Sequence, residues 1–187
     1  MGFTFHDKEK SAKMSIFLII LSCLLWGASF VALFKRLLLA PGLSYLALVV
    51  LSMAQKDGNP LLPVNNVILI SWLAITVIVM LLTLMQPPEV RSSSRGMGYL
   101  AIGAFAGLAV GLLGFSVAVS VSMRYSIMVV ATAAGTFLGY LMYHNTPSGR
   151  NNSAGFLSYL LAKGFPTAIT IMQAGVPLVL LLAIYAN

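Results

Sequence analysis

The residues best suited to form a polar site in this sequence lie in its last long apolar run. Gln173 stands near the middle of that run, Thr170 precedes it, and Pro177 follows four residues later. Because proline has no N–H group, the carbonyl group of Gln173 loses its usual helical partner. Inside a membrane, that carbonyl and the Gln173 amide need partners from the bundle or from water. The pattern is typical of an ordinary proline kink, with Gln173 bonded to a neighbouring helix, or of a discontinuous helix that binds a small solute or ion.

Two further threonines extend this candidate solute site of Thr170, Gln173 and Pro177. Thr132 and Thr136 lie one helical turn apart in another apolar run, from which they could face Gln173. Both are equally compatible with hydrogen bonds back to the carbonyl groups of their own helix.

The apolar runs contain no acidic residue. The four acidic residues are Asp7, Glu9, Asp57 and Glu89, and all of them lie in polar segments. A charge at the centre of a membrane costs several kcal/mol, so proteins keep one there mainly for function. The pattern therefore argues against a proton relay, a carboxylate-coupled rotary ring and a voltage sensor.

Metal-binding and nucleophilic residues are equally sparse. The chain has one cysteine, Cys23, and two histidines, His6 and His144, at positions that form no metal-ligand spacing and no pair of intramembrane haem ligands. It has no nucleophile elbow and no phosphate-binding loop. We therefore predict no catalytic residue, no cofactor and no metal, and we expect that the protein is not an enzyme.

Small residues repeat every four positions in the segment 98–143, whose only charge is Arg124. Such a repeat places the small residues along one helix face, where two backbones can approach closely in lipid. We predict two transmembrane helices that turn at Arg124 and that pack either against each other or against another copy or subunit. The predicted packing residues are Gly103, Gly107, Gly111, Ala131, Gly135 and Gly139.

Composition places the chain in a membrane. It is 59% hydrophobic and 8% charged, whereas soluble domains have roughly 25% charged residues. Several apolar runs are long enough to span a bilayer. The net charge of +7 comes from basic residues that stand singly or in pairs between apolar runs, which is typical of membrane-flanking charge. No basic stripe with interleaved aromatic residues predicts a nucleic-acid partner, so the expected partner is the lipid bilayer.

The fold class predicted from these runs is an all-α, polytopic membrane bundle of about six helices. We expect one membrane domain over 1–187, with a polar tail, three helices, a polar connector and three more helices at 1–14, 15–86, 87–96 and 97–187. The predicted spans are 15–34, 37–55, 67–85, the two helices within 98–143, and 166–185, with a short interfacial helix at 156–165.

The two groups of three helices share a layout, because each has a tight basic turn between its first two helices and an Asn/Pro/Gly-rich loop before its third. Three spans per half would invert the second half, as in many transporters. No residue-by-residue identity links the halves, so a chance likeness stays open beside a 3+3 inverted repeat.

Membrane orientation is nearly balanced in the sequence. Lys8, Lys10, Lys13, Lys56 and Arg124 fall on one predicted side, and Lys35, Arg36, Arg91, Arg95, Arg150 and Lys163 fall on the other. The positive-inside rule needs a larger asymmetry than five against six. The three lysines before the first helix favour a cytoplasmic N-terminus, in the cytoplasmic membrane of a bacterium or archaeon.

Two functions are compatible with these features. The first is a non-enzymatic packing subunit that assembles with itself or with other membrane subunits through its glycine faces. The alternative is a small-solute transporter or substrate-binding membrane subunit, with its site near the kinked last helix.

Overall fold

The computed structural model describes residues 4–35, 37–56, 59–62, 64–113, 121–151 and 155–185, with side chains except at 4–12, 56, 121–122 and 180–185. It is mostly helical. The helices are α1 (Thr4–Lys35), α2 (Ala40–Ser52), α3 (Asn66–Leu84), α4 (Pro88–Ser92), α5 (Met97–Leu113), α6 (Val121–His144), α7 (Pro147–Arg150), α8 (Phe156–Tyr159) and α9 (Phe165–Tyr185). A 3₁₀ turn at Leu37–Leu39 precedes α2, and a π-helical turn at Leu160–Gly164 joins α8 to α9. Two short strands, β1 (Gln55–Lys56) and β2 (Asn59–Pro60), pair in antiparallel fashion, with Gln55 opposite Pro60.

Three helical segments in the described part of the chain are long and apolar enough to cross a membrane. They are Lys13–Lys35, Asn66–Leu84 and Met123–His144, of 23, 19 and 22 residues. A spanning helix needs about 20 apolar residues. The apolar segments Leu37–Ser52 and Met97–Leu113 are shorter. The first ends before the predicted Gln55 because Met53 lies in a turn and Gln55 belongs to β1.

Helix α9 forms the centre of the bundle. It packs against α1, α2, α3, α5 and α6. Between Pro166 and Val179, every side chain is buried except those of Ile169, Ala174 and Leu178. Such an all-round apolar sequence is expected of a helix enclosed by others.

Hydrogen bonds from serine hydroxyl groups join α1 to α2. The hydroxyl of Ser22 donates to the carbonyl of Ala47 at 2.8 Å, and that of Ser29 donates to the carbonyl of Ala40 at 2.7 Å. The two serines are seven residues apart and so lie on one face of α1. Small residues with hydroxyl groups are suited to helix contacts in lipid, because they allow close approach and bond across the contact.

The third helices of the two halves occupy different environments. Helix α3 exposes apolar side chains such as Ile70, Ile78 and Leu81, whereas α9 is enclosed. The first two helices of each half pair in antiparallel fashion, α1 with α2 and α5 with α6. The two antiparallel pairs are alike in direction but α3 and α9 are packed differently, and the 3+3 layout stays a prediction.

Several predicted boundaries are corrected by the structure. Arg124 lies inside α6 and not at a turn, and residues 114–120, between α5 and α6, lie outside the described residues, as does Arg36. Arginine is a good helix former, and its long side chain can carry its charge to a helix end. The lysine-rich start was predicted as a polar tail, but it is helical from Thr4. Lysine, like arginine, is a good helix former. The segment 156–165 is not a separate helix, since a π-helical turn continues it into α9.

Candidate functional site

The six predicted packing residues of α5 and α6 lie against each other. A Cβ atom built on Gly103 would collide with the carbonyl oxygen of Gly135, and one built on Gly135 would collide with the carbonyl oxygen of Gly103. One turn away, a Cβ atom on Gly107 would collide with the carbonyl oxygen of Ala131. At the two ends of this contact, Gly111 lies against Met128 and Ala131, and Gly139 lies against Tyr99 and Leu100.

Both glycine faces are therefore occupied within one chain. The backbones of α5 and α6 touch along three helical turns, and only glycine leaves the space for that approach. These faces consequently offer no support for contact with a second copy or another subunit, and such contact would need a different surface.

The Gln173 side chain points at α3. Its amide nitrogen Nε2 donates to the hydroxyl of Thr76 at 2.7 Å, and that hydroxyl donates to the carbonyl of Trp72 at 2.6 Å. Gln173 is fully buried, and its Oε1 atom has no hydrogen-bond partner among the described residues. The arrangement joins α9 to α3 and leaves one buried acceptor unsatisfied, which costs about 1–3 kcal/mol.

Thr170 faces a different helix from Gln173. Its hydroxyl donates to the carbonyl of Pro166 at 2.7 Å, and its own carbonyl accepts from the hydroxyl of Ser44 on α2 at 2.9 Å. Thr132 and Thr136 are buried, but each donates back to its own helix, to Met128 and Thr132 respectively. The hydroxyl groups of these three threonines thus donate within their own helices, and Gln173 bonds to Thr76 instead.

Pro177, by contrast, lines a cavity of about 430 Å³ between α1, α2 and α9. Ala174 and Leu178, which share the Pro177 face of α9, form the same wall. Cys23 and Leu178 are exposed, so the cavity reaches the outer surface of the bundle. The lining is almost entirely apolar and consists of Ile19, Cys23, Trp26, Leu51, Leu61, Leu62, Ala174, Pro177 and Leu178.

Trp26, which lines this apolar cavity, carries one unpaired polar atom. Its indole nitrogen Nε1 is buried and has no hydrogen-bond partner among the described residues. An indole N–H only donates, so it can be satisfied only by an acceptor atom. A ligand that carries an oxygen acceptor and lies beside the Trp26 ring would satisfy this donor.

A second polar cluster lies at the end of the bundle where α5 begins. The carbonyl oxygen of Arg95 accepts from the Tyr159 hydroxyl and from the Lys163 amine, both at 3.0 Å. The Lys163 amine also lies 4.8 Å from the centre of the Tyr159 ring, close enough for a cation–π interaction. Gly96, with a φ of +79°, packs against Tyr143 and Tyr159. These hydrogen bonds and ring contacts hold the Arg95–Gly96 turn against the start of the α8–α9 segment.

The Lys163 amine should make the stability of the protein depend on pH. Burial, with Arg95 nearby, lowers its pKa from the ordinary 10.5 to about 8. Between these values the unfolded chain binds more protons than the folded one, so the free energy of unfolding rises with pH. By pH 10 we expect wild type to gain about 2 kcal/mol relative to Lys163→Met. Unfolding in detergent at pH 7 and pH 10 measures this gain, and equal changes in the two proteins would contradict it.

Sequence reasoning did not single out Trp26 or Lys163. Trp26 has the appearance of an interfacial aromatic residue, and Lys163 that of a membrane-surface lysine. The contacts of both residues involve helices that are distant in the chain. One signal was present for Trp26: it lies inside an apolar run, away from the polar ends where an interfacial tryptophan is expected.

The chain matches no protein-family model, and comparisons with curated proteins and with solved structures find none that is significantly similar to it.

Proposed function

We propose that this chain is a non-enzymatic integral membrane protein that binds a small, lipid-soluble molecule in the Pro177 cavity. The observation that carries the proposal is an apolar cavity of about 430 Å³ lined by Trp26, a residue whose buried N–H group has no partner among the described residues. Small-molecule sites are mostly apolar clefts of about 300–1,000 Å³ with a few polar groups that orient the ligand. The cavity has both properties.

The lining indicates the class of ligand. It contains no charged side chain, so an ion or a strongly hydrated solute would lose its hydration without compensation. An apolar molecule with a carbonyl, ether or hydroxyl oxygen would fill the cavity and accept from Trp26 Nε1. The exposed positions of Cys23 and Leu178 at the rim favour entry from the lipid.

The proline in α9 links this cavity to transport or substrate delivery. Pro177 removes one backbone hydrogen bond from the central helix, and prolines are the usual sites of helix kinks. A change in the kink would move Ala174 and Pro177 relative to each other and so reshape the cavity wall. This supports the interpretation of the protein as a small-solute transporter or substrate-binding membrane subunit.

The membrane arrangement that we propose has six spans in one domain. The segments Lys13–Lys35, Asn66–Leu84 and Met123–His144 meet the length requirement, and α2, α5 and α9 are packed among them. Burial of α9 inside the bundle supports a position in the membrane for that helix too. The cytoplasmic N-terminus and the bacterial or archaeal membrane remain part of the proposal.

Tryptophan fluorescence tests ligand binding directly. The chain has two tryptophans, so Trp72→Phe leaves Trp26 as the only reporter, and a brominated medium-chain alcohol serves as the quenching ligand. We expect saturable quenching of Trp26. The substitutions Ala174→Leu and Leu61→Phe, on different walls, should each raise the concentration for half-quenching about tenfold, which corresponds to about 1.4 kcal/mol of lost binding.

The matched control is Ala133→Leu, which adds the same volume at an exposed position of α6 and should leave binding unchanged. Quenching that rises without saturation, to the same extent in every variant, would show partition of the alcohol into detergent and would contradict the proposed site. The cavity variants should unfold as cooperatively as the control, which separates lost binding from lost folding.

A further inference from the structure

A second cavity, of about 230 Å³, lies further along α1, at the end of the bundle where α1 meets the connector before α5. One part of its lining is apolar and includes Leu33, Leu37 and Met97. These three side chains are buried, and the apolar side chains of the lining that stay accessible are those of Phe34 and Leu38. The other part carries basic and hydroxyl side chains from Lys35 and from the α4 connector.

The polar wall contains two cations and three hydroxyl groups but no carboxylate. Lys35 ends α1, and Arg91 is followed by Ser92, Ser93 and Ser94. The Nη1 nitrogen of Arg91 donates a hydrogen bond to the carbonyl of Leu84 at 3.3 Å. The guanidinium group carries further N–H donors. A wall of this chemistry attracts an anion with several oxygen atoms, of which phosphate is the common biological case.

The connector that carries Arg91 and the serines is held in place by α8 and the π-helical turn. The Ser158 hydroxyl donates to Oε1 of Gln86 at 2.7 Å, just before the connector. Tyr159 and Lys163 both donate to the carbonyl of Arg95, just after it. The polar wall is therefore bonded to the bundle at both ends. Because the connector is already held in place, binding a ligand should cost little conformational entropy.

The cavity also lies at the right depth for a lipid headgroup. Lys35 ends the span Lys13–Lys35, and the Leu84 carbonyl that Arg91 contacts ends the span Asn66–Leu84. A basic pocket between helices at this level is suited to an anionic headgroup, and with the proposed cytoplasmic N-terminus it opens towards the outer leaflet.

We propose that this cavity binds the phosphate group of an anionic phospholipid. Lys35 and Arg91 contact the phosphate oxygens, the serine hydroxyls donate to the remaining oxygens, and the glycerol and first acyl carbons lie along Phe34 and Leu38. A free phosphate ion would use the same donors but would leave the apolar wall uncovered.

Thermal unfolding of the full chain in a neutral detergent tests this site. The added compounds are short-chain phosphatidylglycerol, short-chain phosphatidylcholine and inorganic phosphate, with sodium chloride at matched ionic strength. We expect phosphatidylglycerol to raise the unfolding temperature of wild type. Lys35→Gln and Arg91→Gln should each raise the concentration for half of that effect about fivefold.

The control is Arg150→Gln, which removes the same charge from an exposed residue of α7 and should leave the effect unchanged. A response to phosphatidylglycerol alone supports a headgroup site, and an equal response to inorganic phosphate identifies free phosphate as the source. Equal losses in Arg150→Gln and Arg91→Gln would reveal only a general attraction to basic residues and would overturn the proposal. So would the absence of any shift, or a shift with phosphatidylcholine of the same size.

Discussion

Leucine in place of Gly107 or Gly135 is expected to lower the free energy of unfolding by about 3 kcal/mol, the upper part of the range for overpacking. A Cβ atom at Gly107 would already collide with the carbonyl oxygen of Ala131, and one at Gly135 with that of Gly103. The neighbouring atoms are backbone, so the contact cannot be relieved by a rotamer change. The α5 and α6 helices must separate along their whole contact.

Gly27→Leu on α1 is the matched control, because a Cβ atom there meets nothing within 4 Å. It should be neutral or slightly stabilising, since leucine is a better helix former than glycine. Unfolding by denaturing detergent or heat gives the comparison. Unchanged stability in Gly107→Leu, with a loss of oligomers, would instead favour the packing-subunit hypothesis and place the glycine faces between chains.

Alanine in place of Gly96 is expected to cost about 2–5 kcal/mol, from two independent sources. The backbone φ of +79° is one that residues with a Cβ atom adopt only with strain. A Cβ atom would also lie 2.8 Å and 2.9 Å from two ring carbons of Tyr143, and it would collide with the Tyr159 hydroxyl. The Tyr159 bond to the Arg95 carbonyl would then be displaced.

Gly98→Ala, two residues further along, is the matched control. It replaces a glycine by alanine without the positive φ and without the collisions that are found at Gly96. A Cβ atom on Gly98 meets nothing within 4 Å, and the residue lies within α5. We expect it to be neutral or to stabilise by up to about 1 kcal/mol. Equal effects of the two substitutions, measured as free energies of unfolding in the same detergent, would contradict the assigned role of the Gly96 turn.

The parts of the fold that could be predicted from sequence are those encoded by short-range spacing. A four-residue repeat of small residues indicates a helix face that packs closely, whatever lies elsewhere in the chain, and the apolar runs at Lys13–Lys35 and Asn66–Leu84 indicate spans by length alone. The partner of a packing face is not encoded in the same way, and both alternatives stayed open until the helices were seen in space.

The polar site depended on contacts that short-range spacing does not specify. Gln173 bonds to Thr76, 97 residues earlier in the chain. No pattern in either segment predicts that these two residues are in contact. Pro177 was predicted to belong to a solute site, but the cavity that it lines is completed by α1, by α2 and by residues near β2. Arg124 was wrongly placed at a turn, because a lone charge in an apolar segment resembles a boundary even where the helix continues through it.

The central position of α9 has a consequence for biosynthesis. This helix leaves the ribosome after every element that it packs against, since α1, α2, α3, α5 and α6 all precede it in the chain. Until it inserts, the hydroxyls of Ser44 and Thr76 lack the partners on α9 that they contact in the finished bundle. Before α9 inserts, the earlier helices are expected to form the pairs α1–α2 and α5–α6, and the insertion of α9 then completes the bundle.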